Sequence, residues 1–406
     1  MKKIIVIGGG PAGLFAAYHA ARGGNHVTLL EYLPRPGRKL LASGAGKCNL
    51  TNVLSAVAMA RRFPPDQQRF AKSALQAFPP ERLLAFFRER GLEFKLIDDF
   101  YYFPVTERAA DVLNVLIDAL SAAGVETVCD TPVTAIAADN GRIVEVRSGG
   151  RSYPCDAVVA AGGGPGYPAL GGHGSLYGVL EAAGHTVIPP VPALCGLTVP
   201  ELAAAELAGV VLPDIRLKLD RDNVTAGTLL FTHDGISGPA VLDLSGRAAR
   251  LLARSVPLTL NLNVLPEMTP EKWEAHWHAI RQTNGIKQVK TVLAGLLPRS
   301  LAEYMIASAG LEDTVVSRLD TLRRRRLTEL LTAWPLTVTA ADPWGKAMAS
   351  SGGIARSEVE AATMRSRLFP NLFFAGEFID VDGPCGGYNL QWAFSSGSVA
   401  GTNAAK

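Results

Sequence analysis

The chain has 406 residues, 48% hydrophobic and 19% charged, an ordinary globular balance. That length suits about two to three domains and a large core. Forty basic residues against 37 acidic ones leave a net charge of +3, which gives no reason to expect nucleic acid as the main partner. The five cysteines, Cys48, Cys129, Cys155, Cys195 and Cys385, are dispersed without a CxxC pair. They argue against a disulfide framework and a zinc site, and suit a reducing compartment.

Met1 to Ala21 superficially resembles a secretory signal, but Gly8-Gly9-Gly10-Pro11 interrupts the apolar run. A strand, a turn and a helix explain it better. Lys3 to Ile7 reads as a buried parallel strand, Gly8 to Gly13 as a turn and Leu14 to Arg22 as a helix ended by Gly23-Gly24. His26 to Leu30 is the second strand of this βαβ unit, closed by Glu31. No uninterrupted run of about 20 apolar residues occurs, so no membrane span is expected, and the reading is a cytoplasmic protein.

Pro34 to Asn52 is a Gly/Ser/Lys-rich loop. Helical stretches follow between residues 66 and 124 around Phe100 to Phe103. Val125 to Cys129 reads as a strand. Thr131 to Ala137, Arg142 to Ser148 and Arg151 to Tyr153 form a meander with a hairpin turn at Asn140-Gly141. Asp156 to Ala161 is another buried strand, ending in Gly162-Gly163-Gly164. Ile188-Pro189-Pro190-Val191-Pro192 marks a boundary.

Beyond that boundary Ile215 to Leu219, Thr228 to Phe231 and Leu258 to Leu262 read as strands, and residues 269 to 333 as helices. Thr269-Pro270-Glu271 is a helix start. Arg323 to Arg326 reads as a solvated helix face, given its leucine neighbours. Leu372 to Ala375 is a late strand before Gly376-Glu377, and residues 390 to 403 form a last helix. The expected division is a discontinuous cofactor domain, 1–190 and 337–406, with a β-rich insert 191–268 and a helical insert 269–336.

The chemistry starts at Gly8-x-Gly10-x-x-Gly13. Gly8 allows the tight turn, Gly10 lets a diphosphate approach the backbone, and Gly13 packs helix on strand. Glu31, eighteen positions after Gly13, supplies the acid that binds a ribose diol and disfavours a 2′-phosphate. The site therefore suits FAD or NAD. The second glycine strand end at Gly162-Gly163 and the late Gly376-Glu377 favour FAD.

Four stretches carry a more specific likeness: Val6 to Gly13; Gly37 to Asn52, with Gly44-Ala45-Gly46-Lys47-Cys48-Asn49; Phe231 to Pro239, with Thr232-His233-Asp234-Gly235; and Asn371 to Gly401, with Gly386-Gly387-Tyr388-Asn389. With these, the sequence resembles the YhiN/BaiN-type flavoproteins, a family of NAD(P)/FAD-dependent oxidoreductases. The resemblance implies an α/β fold. Its core is a Rossmann-like FAD-binding domain of the glutathione-reductase type, carrying an inserted β-barrel-like and helical module. It places Ala12 at the phosphate turn, Glu31 at the ribose, and Arg38 and Lys39 on the pyrophosphate side. The backbone of Val133 falls near adenine, and Glu377, Asn389 and Leu390 fall near the ribityl chain and flavin ring. The chain departs from the family pattern at Gly44-Ala45-Gly46-Lys47-Cys48-Asn49, Gly166-Tyr167-Pro168 and Gly172-His173-Gly174-Ser175, so the family's substrate does not carry over.

His233 is a candidate proton donor or a loop organiser. Cys48, beside Lys47, is a candidate thiolate or a packing residue. Tyr101, Tyr102 and Phe103 line either a pocket for a flat substrate or the core. The expected activity is hydride transfer through flavin between a reductant, NAD(P)H being one, and a small organic acceptor such as a conjugated enone. The competing reading is an FAD-containing, RNA-associated binding protein without redox turnover.

Overall fold

The computed structural model describes every residue except 204, 205, 222, 255 and 256. It divides into two compact units, residues 1–191 with 348–406, and residues 192–347.

The first unit is built on β1 (Lys3–Ile7), α1 (Pro11–Ala21) and β2 (His26–Leu30). Helix α1 starts three residues before the expected Leu14, because Pro11 occupies its first position, where a missing N–H costs nothing. Next come α2 (Arg38–Ala42), β3 (Thr51–Asn52), β4 (Phe94–Ile97) and β5 (Tyr101–Pro104). After the helix Ala109–Ala122 follow β6 (Glu126–Val128), β7 (Val133–Asp139), β8 (Arg142–Ser148), β9 (Arg151–Pro154) and β10 (Ala157–Ala160).

Strand Leu372–Phe374, β10, β1, β2 and β6 lie side by side and parallel, with Val359–Glu360 and Arg365–Ser366 added antiparallel at one edge. The central strands read as continuous apolar runs because both faces are covered: β10 is buried at every position. Strands β7, β8 and β9 form the meander, and β3 pairs with β5, which pairs with β4.

The last helix, Tyr388–Ala404, runs alongside α1. A Cβ on Gly397 would fall 2.4 Å from the carbonyl oxygen of Ala12, and one on Gly401 would fall 2.1 Å from that of Ala16. Only glycine permits this approach. Matching 397 to 12 and 401 to 16 makes the two helices parallel, with the last helix beginning about 12 Å further out along its axis.

In the second unit, among the described residues, seven antiparallel strands follow the order Trp334–Val338, Leu258–Asn263, Val211–Lys218, Val224–Phe231, Gly235–Ser237, Leu197–Thr198 and Ala340–Ala341. The strand expected at Ile215 begins at Val211. A register shift between Leu212 and Ile215 breaks its alternation. Five helices, from Pro239–Leu252 to Thr321–Ala333, share one apolar core with this sheet, centred on Trp273, Trp277, Leu260 and Leu327.

Candidate functional site: a dinucleotide cradle

Every feature of the cradle lies in the first unit, at the edge where the parallel strands end. Gly8 donates to the carbonyl of Leu30, tying the turn to β2. A Cβ on Gly13 would fall 1.8 Å from the Gly8 carbonyl oxygen, so α1 begins directly on the turn. A Cβ on Gly10 would meet nothing within 4 Å. That open space faces the start of α1, which has no side-chain cap and no acid in its first turn. The early amides, Ala12 and Gly13, precede any helical acceptor, and the positive end of the helix dipole lies with them. This is the shape and charge that a diphosphate requires.

Glu31 is almost wholly buried. Its carboxylate accepts from the amides of Gly9 at 2.5 Å and Leu33 at 2.8 Å. Burial pushes its pKa up, while the amides of Leu33, Gly9 and Tyr32 oppose that rise. The Glu31 carbonyl takes the amide of Thr131, two residues before Val133 opens β7. The chain therefore brings the acid and the Val133 backbone to the same end of β2.

Helix α2 is fastened to the phosphate turn by the Gly37 amide, which donates to Gly9 at 2.8 Å. Arg38 is exposed on α2. Lys39 reaches across to Glu377, with Nζ 2.8 Å from Oε2. The other carboxylate oxygen, Oε1, accepts from the Ser350 amide at 2.7 Å and hydroxyl at 2.9 Å. Two residues assigned to separate parts of the cofactor thus form one ion pair, and Ser350 joins them. Gly376 has φ +71°, and a Cβ there would fall 2.7 Å from that of Ala12. Its amide donates to Ser396 Oγ and its carbonyl accepts from Trp392 Nε1. The Glu377 turn is thereby seated on the start of α1.

Asn389 closes the loop before the last helix: Oδ1 accepts from the Gly383 amide and Nδ2 donates to the Gly383 carbonyl, both at 2.8 Å. Its side chain shapes the loop that presents the first amides of the helix. Leu390 lies half-buried against the main core. Asn52, which sequence reasoning missed, donates to the Gly386 carbonyl at 2.9 Å. A Cβ on Gly387 would meet the backbone of Thr51 at 2.8 Å. The only signal for this contact was the Asn49-Leu50-Thr51-Asn52 string. On β5, Tyr101 approaches Gly386 and Phe103 approaches Gly44, while Tyr102 packs on the core.

Of the two readings of Cys48, the surroundings fit the packing residue and not the thiolate. The side chain is fully buried, and burial pushes its pKa up to about 12, with a Ser43 hydrogen bond opposing. Lys47, whose charge was to lower that pKa, pairs with Glu107 at 2.7 Å. His233 is exposed in the second unit, between the strands Val224–Phe231 and Gly235–Ser237. Thr232 donates its amide to Gly235 and its hydroxyl to Asp234, which organises that turn.

A Glu358–His185–Ser366 chain, with His185 and Ser366 buried and Glu358 half-buried, has the order of a hydrolytic triad, with contacts of 3.0 and 3.1 Å. Ser366 Oγ already accepts the amides of Leu368 and Phe369, so its oxygen is engaged and sealed from solvent. The group is a structural clamp. An open cleft lined by Lys2, Arg142, Asp156, Arg365 and Lys406 lies where β1 and β10 begin, at the opposite edge from the phosphate turn.

A Rossmann-type sheet with an open glycine turn, a buried acid at the end of β2 and a late helix parallel to α1 has the form of a dinucleotide-binding fold. The chain belongs to the HI0933-like protein Rossmann domain family, which it matches over residues 2–403. It is 32% identical to the 3-dehydro-bile acid delta(4,6)-reductase of Clostridium scindens, over the full length of both chains. It is 29% identical to the ribosomal RNA dihydrouridine synthase of Escherichia coli, covering 97% of this chain and 95% of the other. The same-named protein of Haemophilus influenzae is 30% identical, with 97% and 96% covered. Among solved structures, the 3-ketosteroid delta1-dehydrogenase of Sterolibacterium denitrificans aligns with a TM-score of 0.52 at 12% identity, covering 100% of this chain and 99% of the other. A quinol-fumarate reductase aligns at 0.50 and 16% identity, covering 100% of this chain and 70% of that one. These two likenesses show the fold. No helix among the described residues is long and apolar enough to cross a membrane.

Proposed function

We propose that this protein is an FAD-dependent reductase that saturates a carbon–carbon double bond conjugated to a carbonyl, drawing its electrons from a nicotinamide donor. The supporting observation is that α1 and the last helix open at one edge of one sheet, held together through Gly376 and Ala12. When bound, FAD supplies two-electron hydride transfer between donor and acceptor.

The chain's own residues bind and orient. Gly10, Ala12 and Gly13 offer the diphosphate its space and amides, Glu31 the ribose its acceptor, and Lys39 with Glu377 a charged pair at the ribityl side. The amides at the start of the last helix favour negative charge on the pyrimidine edge of the ring. Tyr101 and Phe103 share one side of β5, by strand alternation, and suit a flat apolar substrate.

The full-length bile acid reductase relative supports a small polycyclic enone as acceptor. The dihydrouridine synthase relatives support a second acceptor of the same chemistry, the enone-like edge of a uracil base in RNA. The arginine run weighs against the second: Arg323, Arg324 and Arg325 are paired with Asp320, Glu274 and Glu329, leaving less charge for phosphates.

The test is anaerobic visible absorption of purified protein before and after NADH or NADPH, then turnover on a 3-oxo-4-ene steroid and on unmodified ribosomal RNA. Bleaching of flavin bands and product from the steroid are expected. Flavin that stays oxidised overturns the nicotinamide donor, and product from RNA alone overturns the small-molecule acceptor.

A further inference from the structure

We propose that the segment Gly162–Gly174 is a strap across the cofactor cradle, latched by His173 against Tyr32, that retains the adenosine half of FAD. The inference rests on the FAD reading above. Strands β10 and β2 flank β1 on opposite sides, so a chain leaving β10 must cross the end of β1 to reach the exit of β2. This segment does so. Near its beginning, a Cβ on Gly164 would fall 1.8 Å from Ser350 Oγ and 2.8 Å from Glu377 Oε1, beside the ribityl-side pair. Near its end, Gly171 has φ +99° and lies so close to Leu33 that a Cβ would fall 2.6 Å from Cδ1. His173 then sets its ring 5.1 Å from that of Tyr32, tilted by 59°. The strap thus runs from Glu377 to the residues that follow Glu31, the full length of the cradle.

Its interior is stiff. The amides of Leu170 and Gly171 donate to Tyr167 and Pro168, and a Cβ on Gly172 would fall 1.9 Å from the Gly166 carbonyl oxygen. The latch is wet: Tyr32 is 47% exposed, although its neighbour Glu31 is buried, and His173 is exposed. Two aromatic rings presented to solvent beside a ribose acceptor gain burial when a flat heteroaromatic base lies against them.

The experiment uses the full chain stripped of flavin, titrated with FAD and, in competition, with ADP, for wild type, Tyr32→Ala, His173→Ala, the double variant and Tyr32→Phe. Each single alanine variant is expected to weaken FAD and ADP together by about five- to tenfold. The double variant should be little worse than Tyr32→Ala, because the two rings act as a pair. Tyr32→Phe should bind as wild type does. The visible spectrum of bound FAD should be unchanged, because the flavin seat is not touched. Wild-type affinity in the alanine variants overturns the strap while leaving the FAD reading intact. Loss of FAD affinity with ADP affinity unchanged also overturns it, since the effect would then lie at the flavin end. A wild-type chain that binds no FAD overturns both.

Discussion

Gly10 separates folding from binding at a single position. Gly10 has φ −76°, open to any residue, and a Cβ there touches nothing. Gly10→Ala is therefore expected to leave the stability of the flavin-free protein within about 0.5 kcal/mol, while its methyl group intrudes where the diphosphate approaches. Thermal unfolding and FAD titration of the same samples check both halves. Glu31→Gln keeps the size but loses the charged acceptor, and should weaken FAD by roughly ten- to a hundredfold.

His19 sits among Phe15, Tyr18 and Phe78 with Nε2 buried and unpartnered. Burial first, then Arg22, Arg82 and Arg90, lower its pKa to about 4. In the window between the ordinary imidazole value of about 6.5 and about 4, the unfolded chain binds a proton the folded chain refuses. The stability contributed by neutral His19 is thus present above that window and declines as pH falls through it. His185 shifts the same way by burial, with Glu358 opposing. Denaturant titrations at several pH values should give a shallower acid slope for His19→Phe than for wild type.

Strand–turn–helix signals are local, which is why β1, α1, β2 and their glycines were legible in the sequence: each piece depends on neighbours within a few residues. Contacts across long separations left no such trace. Lys39 and Glu377 stand 338 positions apart and His185 and Ser366 stand 181 apart. The choice between thiolate and packing at Cys48 stayed open in the sequence because the partner of Lys47 is Glu107, and because burial is decided by the whole fold. The hairpin of β4 and β5 hid in a segment read for its aromatic content, since strands of four residues show little alternation. The element that the cradle most depends on is the contact of the last helix with α1. Gly401→Val would drive side-chain atoms into the Ala16 carbonyl and should cost about 1–3 kcal/mol, with flavin affinity falling alongside. A variant that loses stability yet binds FAD as wild type does would show that the two helices need not touch for the cradle to form.

The two units each have their own apolar core, one around β1, β10 and the last helix, the other around Trp273, Trp277 and Leu260. Ligand binding stabilises the unit that binds it, by about 2.7 kcal/mol at a hundredfold excess over Kd. Added FAD should therefore raise the protection of amides in β1, β10 and α1 against hydrogen exchange, with little change in the strand Leu258–Asn263. Equal protection in both units would contradict a cradle confined to residues 1–191 and 348–406. The parallel seating of Gly397 and Gly401 on α1 also has a consequence for biosynthesis. The two sides of the cradle are made far apart in time, since Lys39 and Glu377 are separated by 338 positions of chain. A nascent chain therefore has its phosphate turn without the glycine face of the last helix until the intervening length has been made. Flavin loading becomes a step that waits for the later segment, and the waiting time is set by the length of chain between the two.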